Sequence, residues 1–391
     1  MELRALTGLE QQQALYIWSQ SFERGDRKME DWKEWEERTP SGRTTYGIFD
    51  SSGLQASFLL VDEEIYLGAE VILPMSAVCG VGALPASRGR GYASEGMRYC
   101  FERMREAGKP ISVLEPFSWE FYGRLGYAWT SPTRKYSVPT RVLRASSETE
   151  NVRAVTWSDR ARAIACYTEF AKRYRGMVAR RPEVWDWFFD QSKKEHTYTY
   201  VYERDGTIEG YVTYHGGKRE ETKLEEFIAL TPRATRGLLG LLRRHEMQIA
   251  TFRWDAPADD GLWFVLMHSD VKTTLATRNM ARIVDAASAM EALRPASEFE
   301  LDCTVAILDD AAPWNQRTWR IECAGGRVRA TPTDASPQLT FDIQTLAQAY
   351  LGSPTVPELR SAGRIQVENE RAFGQLERLL AGPSAWCNDG F

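Results

Sequence analysis

A short segment rich in glycine and arginine lies between a predicted strand and a predicted helix. The segment reads Arg88-Gly89-Arg90-Gly91, and β-favouring residues run from 71 to 81 before a stop at Leu84-Pro85. Helical spacing begins at Tyr92. Glycine lets backbone N–H groups turn towards a ligand, and a helix start adds partial positive charge. Arginine adds charge-assisted hydrogen bonds to phosphate. The pattern predicts a pyrophosphate-binding loop, although a solvated surface loop can have the same composition.

This segment resembles the R/Q-x-x-G-x-G/A signature of the GNAT acetyltransferases, which holds the pyrophosphate of acetyl-CoA in that family. Farther along, Phe121-Tyr122 and Gly126-Tyr127 resemble its F-Y-x-x-x-G-Y/F element. Over essentially the whole chain the sequence is similar to the enhanced-intracellular-survival (Eis) group of that family. Gly89 departs from the pattern, because better-known members carry arginine there, and this puts one phosphate contact in doubt.

The resemblance implies that acetyl-CoA is the cosubstrate and that one set of residues binds it. That set is Val81, Gly82, Ala83, Arg88, Gly89, Arg90, Gly91, Tyr92, Ala93, Ser94, Phe117 and Ser118. Alternate residues of a strand face one edge, so the N–H groups of Val81 and Ala83 are candidates to pair with the pantetheine arm. The same two amides are candidates to stabilise a developing oxyanion.

Acetyl transfer to an amine needs a proton donor for the departing thiolate and a base for the amine. Tyr122 matches the general acid of the family, and a tyrosine of the core is the alternative. In the Eis group the base is the terminal carboxylate of the chain, on a phenylalanine, and the present sequence ends at Phe391. An α-carboxylate has a reference pKa of about 3.3–3.7, which burial would raise. The alternative is a frayed chain end.

Acceptor recognition rests on aromatic and acidic residues at two places in the chain. Trp35 and Asp389 are predicted to bind the acceptor, with Trp32 and Glu36 as further candidates. Aromatic faces and carboxylates suit a polyamine such as an aminoglycoside. Burial of both tryptophans on one helix face is the alternative. The acceptor is therefore predicted only as a small-molecule or peptide amine, and acetylation at several amines of one aminoglycoside is one form of this hypothesis.

The elements that must position these residues form a repeat. The order strand, helix, hairpin, strand and helix occurs first from residue 2 onwards and again from residue 152 onwards. The predicted domains are a catalytic GNAT domain at 1–145, a degenerate GNAT-like domain at 146–290 and a sterol-carrier-like domain at 291–391. The predicted class is α+β, with tandem GNAT-like domains of mixed sheets flanked by helices and a C-terminal α+β domain.

The second half of the repeat lacks the residues of the glycine-arginine segment. Counted from the strand end, Pro232, Thr235 and Leu238 take the places of Pro85, Arg88 and Gly91. A leucine side chain would crowd an approaching phosphate. The second GNAT-like domain is therefore predicted to bind no CoA.

Composition limits the remaining function classes. The chain has 391 residues and a formal net charge of −5, which argues against a dedicated nucleic-acid binder. No apolar run approaches the ~18 residues of a membrane span and no leader core is seen, so we expect a cytoplasmic protein without membrane insertion. Six cysteines without C-x-x-C and four histidines without H-E-x-x-H predict no metal. The resemblance implies a homo-oligomer, a hexamer.

Two other functions stay open. An acyltransferase for longer chains would share paired GNAT-like domains and a terminal carboxylate. A lipid-binding protein would instead have a deep apolar cavity within residues 295–391 and no affinity for CoA. Titration with acetyl-CoA and with lipid would distinguish these possibilities.

Overall fold

The computed structural model describes residues 1–22, 41–190, 196–216 and 219–390. These residues divide into two compact units. The first unit contains Met1–Thr130 and Asn279–Pro383, and the second contains Ser131–Arg278 and Ser384–Asp389. The predicted domain boundaries at 145/146 and 290/291 stay a prediction.

The chain alternates strands and helices over its described length. In chain order the strands are β1 (Glu2–Ala5), β2 (Arg43–Asp50), β3 (Gly53–Leu67), β4 (Ile72–Ala83), β5 (Ile111–Leu114), β6 (Ala128–Trp129), β7 (Pro132–Pro139), β8 (Val152–Ala154), β9 (Arg175–Val178), β10 (Thr197–Arg204), β11 (Thr207–His215), β12 (Glu221–Ala229), β13 (Thr251–Pro257), β14 (Lys272–Thr277), β15 (Met280–Ile283), β16 (Leu301–Leu308), β17 (Arg317–Ala324), β18 (Arg327–Pro332), β19 (Leu339–Asp342) and β20 (Gln366–Val367). The helices are α1 (Glu10–Phe22), α2 (Tyr92–Glu106), α3 (Trp119–Gly123), α4 (Arg160–Ala171), α5 (Pro182–Phe189), α6 (Pro232–Arg243), α7 (Leu262–Val265), α8 (Ala286–Glu291), α9 (Ile343–Leu351), α10 (Val356–Ser361) and α11 (Glu370–Leu380).

The first unit contains two sheets. In one, the strands follow the order β1-β2-β3-β4-β5-β15-β6, with β4 and β5 parallel and the remaining neighbours antiparallel. The pair β15–β5 joins residues far apart in sequence, as in Met280 opposite Leu114. The other sheet has the order β18-β17-β16-β19-β20.

Helix α2 covers one face of the first sheet. Met97, Cys100, Phe101 and Met104 recur at helical spacing, and all are buried. They share a core with strand residues such as Phe58. This packing fixes the start of α2, and with it the glycine-arginine segment.

The second unit contains a seven-stranded sheet in the order β14-β7-β13-β12-β11-β10-β8. Helix α6 packs on it through buried residues that include Leu238, Leu239 and Leu242. Helices flank the sheets in both units, which confirms the predicted α+β class. None of the described helices is both long enough and apolar enough to span a membrane.

Candidate active site

Strand β4 separates from β5 partway along its length. The parallel register runs from Met75 opposite Ile111 to Val78 opposite Leu114 and ends there. On its other edge β4 continues along β3, with a register shift between Ser57 and Leu59 that marks a bulge. The end of β4 therefore has one edge that β5 does not cover.

One of the amides predicted to face a ligand lies on that uncovered edge. Leu84 donates its N–H to the Gln55 carbonyl at 3.0 Å, so this amide points towards β3. Because amides alternate along a strand, Gly82 points the same way and Ala83 points away from β3. The register thus places the Ala83 amide where an extended ligand could pair with it, whereas Val81 adjoins the register shift and the direction of its amide stays a prediction.

The glycine-arginine segment forms the turn between β4 and α2. A 3₁₀ turn at Pro85–Ser87 leads into Arg88. Gly89 and Gly91 have φ of 76° and 83°, a conformation that only glycine adopts readily. No atom lies within 4 Å of a Cβ built on either glycine. Gly91 is the N-cap of α2 and no side chain caps that end, so no capping side chain occupies the first-turn amides at Tyr92, Ala93 and Ser94.

The predicted cationic residues stand at the same turn. Arg88 donates from Nε to the Ala83 carbonyl at 3.3 Å and from Nη2 to the Gln20 carbonyl at 3.1 Å. These bonds hold the Arg88 guanidinium against the end of β4, and Arg90 is exposed. Tyr92 donates its hydroxyl to Asp50 at 3.1 Å, so its side chain binds the β2–β3 hairpin.

Tyr122 is a buried residue of the short helix that follows β5. It lies in α3, whose N-cap Ser118 accepts the Phe121 N–H at 3.2 Å. Only 3% of Tyr122 is exposed, and its ring contacts Phe117, with a centroid distance of 5.1 Å. Burial raises the pKa of Tyr122 well above its ordinary value, with Tyr127 and Cys79 adding to the increase. No hydrogen-bond partner of its hydroxyl is found among the described residues.

Tyr127, the other tyrosine of that element, has a different environment. It is buried, and its hydroxyl shares a 2.8 Å hydrogen bond with Ser112. Its hydroxyl is therefore engaged within the core. Tyr122 and Val81 belong to one cluster of buried residues, so the tyrosine and the end of β4 share a core.

The remaining predicted residues are spread over the chain. Phe117 is 59% exposed and stacks on Phe121 at 5.3 Å, and Ser118 caps α3. Asp389 lies in the second unit, where its carboxylate accepts the Arg180 Nε–H at 2.8 Å. Burial raises the pKa of Asp389. Trp32, Trp35, Glu36 and Phe391 lie outside the described residues.

A polar pair that was not among the predicted site residues lies next to the loop. Ser87 is buried and donates its hydroxyl to Gln55 Oε1 at 2.5 Å. Gln55 lies in β3, opposite the end of β4. The signal was an amide side chain in a largely apolar run from 54 to 61, a place where a polar side chain usually has a specific partner.

The second unit has the same strand pairing but no loop. Leu230 donates its N–H to the Glu209 carbonyl at 2.8 Å, as Leu84 does to Gln55. This equates Leu230 with Leu84, and α6 begins after Thr231 alone. The equivalence of Thr235 with Arg88 and of Leu238 with Gly91 is therefore wrong, since both residues lie inside α6.

Comparison with known families identifies the three parts of the chain. An acetyltransferase (GNAT) domain matches residues 2–130, a second acetyltransferase (GNAT) domain matches 176–283, and a sterol carrier protein domain matches 285–388. An N-acetyltransferase Eis from Mycobacterium tuberculosis is 23% identical over 348 residues, which cover 83% of this chain and 82% of that protein. The chain is thus a homologue of the Eis N-acetyltransferases and carries tandem GNAT domains.

Two further comparisons agree with this assignment. An uncharacterised N-acetyltransferase of Streptomyces avermitilis is 25% identical over 378 residues, 91% of each chain. A crystal structure from Enterococcus faecalis, described as a probable N-acyltransferase, has the same fold, with a TM-score of 0.90, 23% identity and coverage of 100% of this chain and 99% of that one. The predicted tandem GNAT domains, sterol-carrier-like domain and acyltransferase activity are confirmed.

GNAT acetyltransferases use acetyl-CoA, and the described residues fit its pyrophosphate. The open space at Gly89 and Gly91 admits a bulky anion, and the uncapped amides of α2 supply donors. Arg88 and Arg90 supply charge. The assignment of the individual contacts stays a prediction. In the part of the chain that the structure describes, no group of three or more His, Cys, Asp or Glu residues could hold a metal ion.

Proposed function

We propose that this Eis-like protein transfers the acetyl group of acetyl-CoA to a primary amine, with Tyr122 as the general acid. The observation that carries the proposal is the environment of Tyr122. Its hydroxyl has no partner among the described residues, and it belongs to the same buried cluster as the end of β4. Because burial raises its pKa, Tyr122 keeps its proton throughout the neutral range.

The chain would divide the work between the end of β4 and the glycine-arginine loop. The N–H groups of Val81 and Ala83 would bind the pantetheine arm as an added strand. The loop from Arg88 to Gly91 and the first turn of α2 would hold the pyrophosphate. When bound, acetyl-CoA supplies the activated acetyl group. Tyr122 would then give its proton to the departing thiolate.

The base and the acceptor site are proposed on the resemblance to the Eis group. The α-carboxylate of Phe391 is the proposed base, and Trp35 and Asp389 are the proposed acceptor residues. Asp389 shares the Arg180 guanidinium with Glu226, so one cation stands between two carboxylates. The two carboxylates outnumber the one guanidinium, which suits an amine acceptor. Aminoglycosides are the proposed acceptors to test first.

Tyr122→Phe removes the hydroxyl that is proposed to donate the proton and keeps the aromatic ring. We expect kcat to fall by about 10²–10⁴-fold, the usual contribution of a general acid, with unchanged affinity for CoA. Release of free thiol from acetyl-CoA, measured over a panel of amines that includes aminoglycosides, gives kcat. Titration calorimetry gives the CoA affinity.

Tyr127→Phe is the matched control, because it removes a buried hydroxyl five residues along the chain, on a ring 5.7 Å from that of Tyr122, that already has a partner in Ser112. This control should lose some stability and keep its kcat. Equal values of kcat in the two variants would return Tyr122 to the role of a core residue. Longer acyl-CoA donors in the same assay test the alternative chain-length specificity.

A further inference from the structure

The helix that carries Tyr122 is too short to hold its own position. Helix α3 has five residues, and isolated helices below ~12–15 residues are marginal in water. Its last carbonyls have no helical partners and must be satisfied elsewhere. The turn after it supplies some bonds, since Leu125 donates to the Tyr122 carbonyl at 3.0 Å and Gly126 to the Gly123 carbonyl at 2.9 Å. Anything else that holds this turn also sets where the Tyr122 hydroxyl stands.

Residues of the sterol-carrier-like domain contact that turn directly. Gln344 donates from Nε2 to the Gly123 carbonyl at 2.9 Å. Gln344 lies in the first turn of α9, where Asp342 caps the helix by accepting the Thr345 N–H at 2.8 Å. A capped helix start is a fixed point, so the amide of Gln344 holds a carbonyl adjacent to Tyr122 from a rigid base.

A buried ion pair holds the other end of the turn. Arg282, in β15, donates from Nη1 to the Leu125 carbonyl and from Nη2 to both oxygens of Asp309 at 2.9 and 2.6 Å. The side chains of Arg282 and Asp309 are 0% and 1% exposed. Asn315 and the amides of Ala311 and Ala312 also donate to Asp309. These donors hold the Asp309 carboxylate in place, and the carboxylate in turn holds Arg282.

The turn fits closely against this arginine. Gly126 has φ of 82°, and a Cβ built on it would collide with the Arg282 guanidinium. The same guanidinium lies 4.3 Å above the ring of Phe101, a core residue of α2. Arg282 thus contacts the helix that starts at the phosphate loop and the turn that follows Tyr122.

We propose that Gln344 and the Arg282–Asp309 pair are positioning residues for Tyr122, which gives the sterol-carrier-like domain a role in acetyl transfer. Gln344 of that domain holds the Gly123 carbonyl, and Asp309 of the same domain fixes Arg282 in β15, which holds the Leu125 carbonyl. These contacts thereby set the position of the tyrosine hydroxyl. This inference rests on the proposed function of Tyr122 as general acid. A hydroxyl that is already held in its reactive position loses less conformational freedom in the transition state. A displacement of about 1 Å can lower the rate about 10²-fold.

The test uses Gln344, because removing one partner of a buried ion pair can unfold a domain. Gln344→Met keeps the length of the side chain and removes the donor. We expect kcat to fall about tenfold, with unchanged KM for acetyl-CoA. The helix offers a matched control in Gln348→Met, since Gln348 donates to the Trp129 carbonyl at 3.2 Å, farther from Tyr122 along the chain. Both variants lose one side chain–backbone bond, so similar shifts in thermal unfolding are expected.

A double-mutant cycle with Tyr122→Phe shows whether Gln344 acts through the tyrosine. In the Tyr122→Phe background, Gln344→Met should change kcat less than twofold. Equal kcat in Gln344→Met and Gln348→Met would overturn the inference, and so would an undiminished tenfold loss in the Tyr122→Phe background. Full activity of Tyr122→Phe alone would instead overturn the proposed function, and the inference with it.

Discussion

The two units of the molecule build the same strand–helix corner and finish it differently. In the first unit, Leu84 bonds to Gln55, and residues 85–91 then form a glycine-rich loop before α2. In the second unit, Leu230 bonds to Glu209, and Thr231 alone precedes α6. The hairpins leading to the two corners match as well, with register shifts at Ile48/Phe49 and at Tyr202/Glu203.

The residues whose carbonyls accept these two bonds, Gln55 and Glu209, differ by one charge. Gln55 is neutral and accepts the Ser87 hydroxyl. Glu209 accepts the hydroxyl of Thr231 at 2.7 Å and two donors from Arg233. Thr231 is also the N-cap of α6, accepting the Ala234 N–H at 3.2 Å.

This difference shows how one corner can be an anion site and the other not. A helix start favours negative charge. The first corner has open amides and no acidic side chain among these contacts, so it can accept a phosphate from solution. The second corner already contains a carboxylate of its own, together with an arginine that pairs with it. The prediction that only the first unit binds CoA therefore has a reason in charge as well as in shape.

Gly91→Leu should remove the first corner's anion site. A leucine adopts φ of 83° only with strain, so the loop amides would move. Hydrogen bonds to a charged group contribute about 1.5–3 kcal/mol each, so we expect CoA affinity to fall about 10²-fold or more. Calorimetric titration measures the affinity and the stoichiometry, which should be one CoA per wild-type chain.

Gly108→Leu is the control for that experiment. Gly108 lies just beyond the other end of α2, with φ of 67° and no atom within 4 Å of a built Cβ. It carries the same backbone strain without touching the loop, so CoA affinity should be unchanged. Two CoA molecules per wild-type chain would contradict the comparison of the two corners.

Gln55→Glu should give the first corner the charge of the second. The new carboxylate can still accept the Ser87 hydroxyl, so the fold of the corner should persist. Repulsion of the pyrophosphate by a nearby, weakly screened charge should lower CoA affinity about tenfold. The measurement is again CoA titration, repeated at two salt concentrations.

Gln55→Met separates the charge from the hydrogen bond in that experiment. It loses the acceptor for Ser87 and adds no charge, so its CoA affinity should change by less than that of Gln55→Glu. If both variants bind CoA equally weakly, the Ser87 contact matters and the charge difference between the corners does not.

Much of the catalytic unit could be predicted from local sequence signals. Strand β4 ends at Ala83 and helix α2 begins at Tyr92, in agreement with the predicted strand before the loop and the predicted helix after it. Apolar periodicity, a stop at Leu84-Pro85 and adjacent glycines are all local features. The GNAT motifs then led to the correct family, because they encode backbone shape as well as chemistry.

Features that depend on distant residues were not predicted. Helix α6 begins at Pro232, earlier than the matching of Leu238 with Gly91 implied, although Thr231 and Pro232 are a good N-cap and first-turn pair. The pairing of β15 with β5 has no local signal, since sequence periodicity does not name a partner strand. The Arg282–Asp309 pair was not predicted either, because charged residues usually lie at the surface and nothing local marks these two as buried.

Glu209→Gln tests the internal anion of the second corner. Arg233 and the burial of Glu209 have opposite effects, and the hydrogen bonds from Arg233 dominate, so the pKa of Glu209 lies below its ordinary value. Its ionised form therefore stabilises the fold above pH ~4.3, and this contribution is lost as the pH falls through the lowered pKa. Since Arg233 is 37% exposed, we expect a loss of only about 1 kcal/mol in the free energy of unfolding at pH 7.

Urea unfolding at pH 7 and at low pH should show this difference shrinking on acidification. Glu221→Gln, which breaks the exposed pair with Arg253, should have a smaller effect at pH 7. Equal losses in the two variants would mean that Glu209 is an ordinary surface charge and not a built-in substitute for phosphate.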